Sequence, residues 1–291
     1  LLTSDVSIGN QNGKDWADDI ITELKGMENV VVKNRSQIFG YYDHNMLVMS
    51  ERLTDHLPRS DKYTPKQRIW YIRAKQVVIS SGSIERPIVF GNNDTPGVFL
   101  ASAAKEYMKV YGVLVGKKPV IFTNNDSAYE TAIEFKKNNI NPIVLDSRKN
   151  PQSEIIKEAL SLDIEIKFSH VVVTAKGYKK VKSCDIAMIS DNKENLIDIS
   201  NIQCDCICVS GFWTPTIHLA SQSGSKTKFK EDIDAFVPDK SKQKEITLGS
   251  ANGVFSLDET LKTSFQKGYE LSKEITNKDN KLQSPQVSEK Q

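Results

Sequence analysis

The sequence predicts an α/β fold built on parallel sheets, in two domains with the second inserted into the first. Three observations carry this reading. Apolar strands alternate with helices of 3.6-residue periodicity, the order that builds a parallel sheet. Three β-like runs, SQIFGYY, NMLVMSER and RIWYIRA, follow one another with only turns and a polar loop between them, as in an antiparallel meander. Several apolar strands stop at a glycine turn, as they do at the carboxyl edge of a ligand-binding sheet. The chain has 291 residues, enough for two medium domains.

Taken in order, LLTSD reads as a short strand ending at Asp5. GKDWADDIITELKGM reads as a helix through Trp16, Ile20, Ile21 and Leu24, and NVVVK as a strand. The meander occupies about 36–74, and KQVVISSG is an apolar strand that stops at Gly82. After the turn-rich NNDTPGV, FLASAAKEYMKVYG reads as a helix ended by Gly112. KKPVIFT, a helix at about 127–138 and NPIVLD make a second β-α-β set. SEIIKEALS is a helix, IEIKF, HVVVTA and KKVKSCDIAMIS are strands, and CDCICVSG is an apolar strand ending at a glycine. In WTPTIHLAS, Thr214 and Pro215 suit the start of a helix that contains His218. A strand, a Gly-rich turn and a long helix follow from Glu245. The insertion is expected over 98–203, the first domain over 1–97 and 204–275, and a polar tail or linker over 276–291.

Lys and Arg number 39 against 37 Asp and Glu, so charge demands neither nucleic acid nor an anionic membrane as partner. No apolar run of 18 residues and no leader-like start is present, and a reduced, cytoplasmic protein is expected. The four cysteines are Cys184, Cys204, Cys206 and Cys208. Period 2 on a strand places the last three on one face, as small buried apolar residues rather than metal ligands. The four histidines fit no zinc spacing and no G-x-S-x-G turn, so hydrolase chemistry has no support and no catalytic residue is assigned.

Candidate ligand contacts lie at three strand ends: Ser81, Gly82 and Ser83; Gly211; and Gly249, Ser250, Ala251, Asn252 and Gly253. Glycine lets backbone approach a ligand, and the third turn leads into a helix whose N–H groups favour phosphate. Asp5 is placed either to accept a ribose hydroxyl or as a surface residue. Arg86 is placed either to pair with phosphate or to form an ion pair with Glu85. One turn departs from the pattern. In VIFTNNDSAYETA, residues 120–132, Thr123, Asn125 and Ala128 stand where a dinucleotide turn carries G-x-G-x-x-G. Ala128 still allows helix–strand packing, but Thr123 and Asn125 put side chains where phosphate would press, and Asp126 adds negative charge or caps the helix. The second domain is therefore expected to keep the fold and to have lost dinucleotide binding at its own turn.

FGYYDHN, ERLTDHL, RIWYIRAKQVVISSGSIERPIVFGNNDTPGVFLASA, VYGVLVGKKPVIFTNNDSAYETA, VSGFWTPTIHLASQ and GSANGVFSLDETL together resemble the alpha subunit of heterotetrameric sarcosine oxidase. The resemblance covers nearly the whole chain, weakening at 1–15, 147–200 and the tail. It implies two Rossmann-like FAD/NAD(P)-binding domains of the pyridine nucleotide-disulfide oxidoreductase type, the first incomplete at its N-terminus. It also implies oxidative demethylation of sarcosine to glycine, with tetrahydrofolate taking the one-carbon unit and oxygen becoming hydrogen peroxide. NAD would lie in this chain, FMN between the alpha and beta subunits, FAD in beta, and tetrahydrofolate in a C-terminal domain beyond this sequence. Beta, gamma and delta subunits would be the partners. SSGSIERP stands where the family has A-T-G-x-x-E-R-P, and GSANG where it has G-A-A-x-G. SGFW stands for S-G-G-W, so Phe212 replaces a glycine. The family's N-terminal G-x-G-x-x-G does not occur, and the chain is expected to be the middle of an alpha subunit. Alternatives are the alpha subunit of a proline- or opine-type dehydrogenase complex and a non-catalytic scaffold.

Overall fold

The computed structural model describes residues 6–58, 63–190, 192, 195–276 and 285–289. The strand expected at LLTSD, with Asp5, lies outside the described residues. The chain folds as two compact units, residues 3–84 with 214–290 and residues 85–213.

The 85–213 unit has a five-stranded parallel sheet in the order Glu165–Phe168, Ile143–Asp146, Pro119–Thr123, Cys206–Ser210, Val98–Leu100. Period 2 sends alternate side chains of these strands to two different cores. Ile121, Val144, Cys206 and Cys208 face α2 (Ala101–Tyr111), α3 (Tyr129–Lys137) and α4 (Glu154–Ser161), packing on Ala104, Tyr129, Phe135 and Ile156. Val120, Phe122, Leu145, Ile207 and Val209 face the other way, onto Val172, Ala175, Cys184 and Ile186. Those last belong to an antiparallel sheet of His170–Lys176, Ser183–Ile189 and Leu196–Gln203. Burial on both faces is why the parallel strands read as continuous apolar runs.

The cysteines correct one expectation. Cys206 and Cys208 share the helix-side core, but Cys204 sits with Cys184 in the opposite one. The strand begins at Cys206, so the alternation does not extend back to Cys204. All four are buried and free. The Cys184 thiol is pushed up by its hydrogen bond to Cys204 and by burial, and the same bond lowers Cys204.

The other unit holds the meander, Ser36–Tyr42, Met46–Arg52 and Gln67–Arg73, antiparallel as expected. Tyr41 and Leu47 pack with Val77, Ile79 and Ala220 to form its core. Val77–Ile79 pairs in parallel with Glu245–Thr247, in the register Val77↔Glu245 and Ile79↔Thr247. A hairpin, Thr227–Lys230 with Ala235–Pro238, and a small sheet, Val6–Ile8 with Gln11–Asn12 and Val287–Glu289, also belong to this unit. The last strand differs from the plain polar tail expected from 276. The helices are α1 (Gly13–Gly26), α5 (His218–Gln222) and α6 (Leu257–Thr276).

Two further expectations fail here. NVVVK forms no strand, and Val31 is 77% exposed. β-branched residues favour a strand only where a neighbouring strand and a buried face receive them. Thr214 and Pro215 lie in the short strand Trp213–Pro215, and α5 starts only at His218, with Ile217 as its N-cap.

Candidate functional site

Two strand-end turns come together in the unit formed by 3–84 and 214–290. Adjacent parallel strands end at Ile79 and Thr247, and Leu248 N–H donates to the Ile79 carbonyl at 2.9 Å, holding the two exits side by side. Beyond Ile79 the chain turns through Gly82 at φ 75°, a left-handed conformation that glycine adopts without strain. The Gly82 carbonyl accepts from Thr216 N–H at 3.0 Å, and Ser81 Oγ donates to the Thr216 carbonyl at 2.8 Å. Ser83 opens the strand Ser83–Glu85. Beyond Thr247, Gly249–Asn252 form a single 3₁₀ turn closed by Gly253 at φ 73°. Ser250 and Ala251, at its start, have no intrahelical acceptor for their N–H groups.

The glycines of this region serve different ends. A Cβ on Gly82 would meet nothing nearer than Ser250 Oγ at 3.9 Å, so the space beside it is open. A Cβ on Gly253 would lie 2.8 Å from Ile233 Cδ1, so this glycine makes room for the protein's own core.

The remaining candidates belong to the 85–213 unit. Glu85 is 3% exposed, and its Oε2 accepts from Ser102 N–H at 2.9 Å and Ser102 Oγ at 2.6 Å. It therefore caps the first turn of α2, where a carboxylate also suits the helix dipole. Arg86 N–H donates to the Phe212 carbonyl at 2.8 Å, and Gly211 N–H donates to the Arg86 carbonyl at 2.6 Å. A Cβ on Gly211 would stand 3.0 Å from the Arg86 carbonyl oxygen. Phe212, where the related motif has glycine, sits at φ 77°. Phe212→Gly is therefore expected to change stability by less than about 1 kcal/mol, strain relief offsetting the lost ring. Phe212→Val, β-branched in the same conformation, should cost about 1–3 kcal/mol. Thermal unfolding of the two variants side by side checks the contrast.

The turn that lacks its glycines is closed by its own side chains. Thr123 is fully buried; its Oγ1 donates to the Asn125 carbonyl at 2.9 Å and accepts from Asn125 N–H at 3.0 Å. Asn125 Oδ1 accepts from Ser127 N–H at 3.0 Å and from Ser127 Oγ at 2.6 Å, and Asn125 Nδ2 donates to the Ser210 carbonyl at 3.0 Å. Trp213 Nε1 donates to Ser127 Oγ at 3.1 Å. The cap is thus Asn125, not Asp126. Asp126 instead meets Arg148 Nη2 at 2.7 Å. At the end of the next strand Asp146, fully buried, accepts from Tyr129 Oη at 2.7 Å and from Arg148 Nη2 at 2.8 Å and Nε at 3.0 Å. Burial and the bond to Asp146 push the Tyr129 hydroxyl well above its ordinary range. Burial by itself would lower the Arg148 pKa, but its bonds to Asp146 and Asp126 raise it. An anion approaching here would find its helix N–H and its arginine already engaged. Asp146, Arg148 and Tyr129 escaped the sequence reading, although a strand-end D-S-R was there to be seen.

No family model matches the chain. The sarcosine oxidase alpha subunit of Corynebacterium sp. (strain P-1) is 33% identical over 264 residues, 90% of this chain and 27% of its own length. That of Rhizobium meliloti (strain 1021) is 31% identical over 86% of this chain and 24% of its own. The chain is related to a segment of the sarcosine oxidase alpha subunit. It spans about a quarter of the length of these curated relatives. Among solved structures, L-proline dehydrogenase from P. horikoshii superimposes with TM-score 0.63 at 21% identity, over 96% of this chain and 49% of that one. Thioredoxin reductase from T. acidophilum gives TM-score 0.62 at 12% identity, over 87% and 79%. At these identities the two structures establish the fold alone, an α/β fold with a parallel sheet. No helix among the described residues is long and apolar enough to cross a membrane.

Proposed function

We propose that the chain is the NAD-binding central region of a sarcosine oxidase alpha subunit. In this reading it works within a cytoplasmic complex that demethylates sarcosine to glycine with tetrahydrofolate and oxygen, giving 5,10-methylenetetrahydrofolate and hydrogen peroxide. The observation that carries the proposal is 33% identity sustained over 90% of the chain. The open space beside Gly82 and the short turn at Gly249–Gly253 fit a dinucleotide. Ser81, Gly82, Ser83 and residues 249–253 would line it, with Asp5 assigned there by resemblance; Glu85, Arg86 and Gly211 are carried over as cofactor contacts by resemblance alone. NAD, when bound, supplies a nicotinamide ring able to accept hydride. The chain's own part is to hold and orient that group, and it contributes no proton-transfer residue. FMN at the beta-subunit interface, FAD in beta and tetrahydrofolate in a C-terminal domain complete the reading, with gamma and delta as small subunits. The closed turn at Thr123–Tyr129 does not fit a second dinucleotide.

A proline-type dehydrogenase complex is the second reading, favoured by the superposition on L-proline dehydrogenase over 96% of the chain. One experiment separates them. The native protein is isolated with its partners, its nucleotides are released and quantified, and peroxide formation is followed with sarcosine and with proline. Stoichiometric NAD and sarcosine-dependent peroxide are expected. Proline oxidation without sarcosine turnover would select the second reading, and absence of any nucleotide would leave a scaffold role.

A further inference from the structure

One carboxylate of the unit formed by 3–84 and 214–290 is buried without a counter-charge. Glu245 opens the strand Glu245–Thr247, at the end away from the Gly249 turn, and is 5% exposed. Among the described residues it forms no ion pair, and its Oε2 is buried and accepts no hydrogen bond. A charge taken out of water is costly unless a counter-charge or a metal ion meets it.

The groups around Glu245 are oxygens, and they run short of protons. Tyr41, on the meander strand Ser36–Tyr42, Ser223, just past α5, and Ser225 are all buried beside it. Asn45 Nδ2 donates to the Lys244 carbonyl at 2.9 Å and to the Lys75 carbonyl at 3.4 Å, which fixes the orientation of the amide. Asn45 Oδ1 therefore accepts the single Tyr41 hydroxyl proton, at 2.9 Å. Burial and the Glu245 charge push the Tyr41 hydroxyl well above its ordinary range, so this proton stays in place. Ser223 Oγ also has one proton and faces two acceptors, the Ala220 carbonyl at 2.7 Å and Glu245 Oε1 at 2.6 Å. Ser225 Oγ donates to Glu245 Oε1 as well, and lies 3.1 Å from Ser223 Oγ. The hydroxyl protons thus go to Oε1 or away from Glu245, and none meets Oε2.

We propose that Glu245 Oε2 holds an alkali-metal cation, sodium or potassium, within the folded chain. Charge and ligand type select this ion. One carboxylate balances one positive charge, so a monovalent cation leaves the buried cluster neutral and a divalent one does not. Calcium sites gather more oxygen ligands and more carboxylates than this cluster supplies. The cluster offers carboxylate, hydroxyl and carbonyl oxygens and no thiolate or imidazole, a hard set unlike that of soft metal sites. The ion would tie together the meander, the end of α5 and the strand Glu245–Thr247. Its site is separate from residues 81–83 and 249–253, so it stands whether or not those residues line a dinucleotide pocket.

The test exchanges the native protein into buffers of equal ionic strength with potassium, sodium or choline as the only monovalent cation. Choline is too large for a buried oxygen site. The unfolding temperature in potassium or sodium is expected to exceed that in choline by about 3–6 °C, the shift given by a ligand at about ten times its dissociation constant. The more stabilising of the two names the ion. Glu245→Gln removes the charge, and its unfolding temperature should be the same in all three buffers. Crystals of the native protein grown in the more stabilising cation, with thallium(I) substituted where that is potassium, give a reading that needs no variant. An ion should lie in contact with Glu245 Oε2, told from water by anomalous scattering or by short oxygen distances. Equal unfolding temperatures in the three buffers, a cation response that persists in Glu245→Gln, or water alone beside Oε2 would each overturn the site.

Discussion

Asp146→Ala should cost the 85–213 unit about 3–5 kcal/mol, because it removes one member of a buried, hydrogen-bonded ion pair and strands the rest. Asp146 is fully buried and serves Tyr129 Oη, Arg148 N–H, Nε and Nη2 at 2.7–3.0 Å. Without it the buried Tyr129 hydroxyl loses its acceptor, and Arg148 keeps Asp126, whose side chain is 43% exposed. Denaturant unfolding at neutral pH gives the measurement, with a lower midpoint and an unchanged slope expected. Asp146→Asn retains an acceptor and should lose less. The sign of the pH dependence follows from Tyr129. Its folded pKa is raised, so its contribution is fully present below the ordinary tyrosine value, about 10, and disappears only as pH rises through the raised one. The Asp146→Ala deficit should therefore be the same at pH 7 and pH 9. A loss below about 1 kcal/mol would mean that this network does not hold the turn closed.

Gly82→Val should abolish retention of NAD by the native assembly. Two effects act together. The backbone at φ 75° disfavours any side chain, a β-branched one most of all. The new methyl groups would also enter the space that lies between Gly82 and Ser250. Nucleotide release from the purified variant should fall from stoichiometric to near zero, with partner subunits still bound. Asn125→Gly is the counterpart, at the turn closed by its own side chains, and NAD content should be unchanged there. NAD retained by the Gly82 variant would remove this turn from the pocket.

Much of the fold could be read before the structure, and the reasons differ by element. The meander was legible because its three strands are neighbours in sequence, so pairing needed no long-range knowledge. The parallel strands were legible as uninterrupted apolar runs, since both of their faces are buried. NVVVK misled because propensity says nothing about whether a partner strand is present. CDCICVS misled because alternation was extended past the first residue of the strand. At the candidate site, glycine turns marked the strand exits, and Thr123 and Asn125 marked a closed one. What could not be read was the partner of each polar group. Glu85 caps α2 through Ser102, 17 residues away, and no local spacing announces that bond. Asn125 reaches Ser210, 85 residues on, which only the parallel pairing of Pro119–Thr123 with Cys206–Ser210 brings near.

The distribution of the buried cysteines has a practical use. All four fall within 85–213, and the other unit has none. A thiol reagent added to the folded protein can therefore react only when the 85–213 unit opens. Labelling rates would time its excursions separately from those of the rest of the chain, with no engineered probe. Cys206 and Cys208 on the helix side and Cys184 and Cys204 on the other would further tell which layer lifts first.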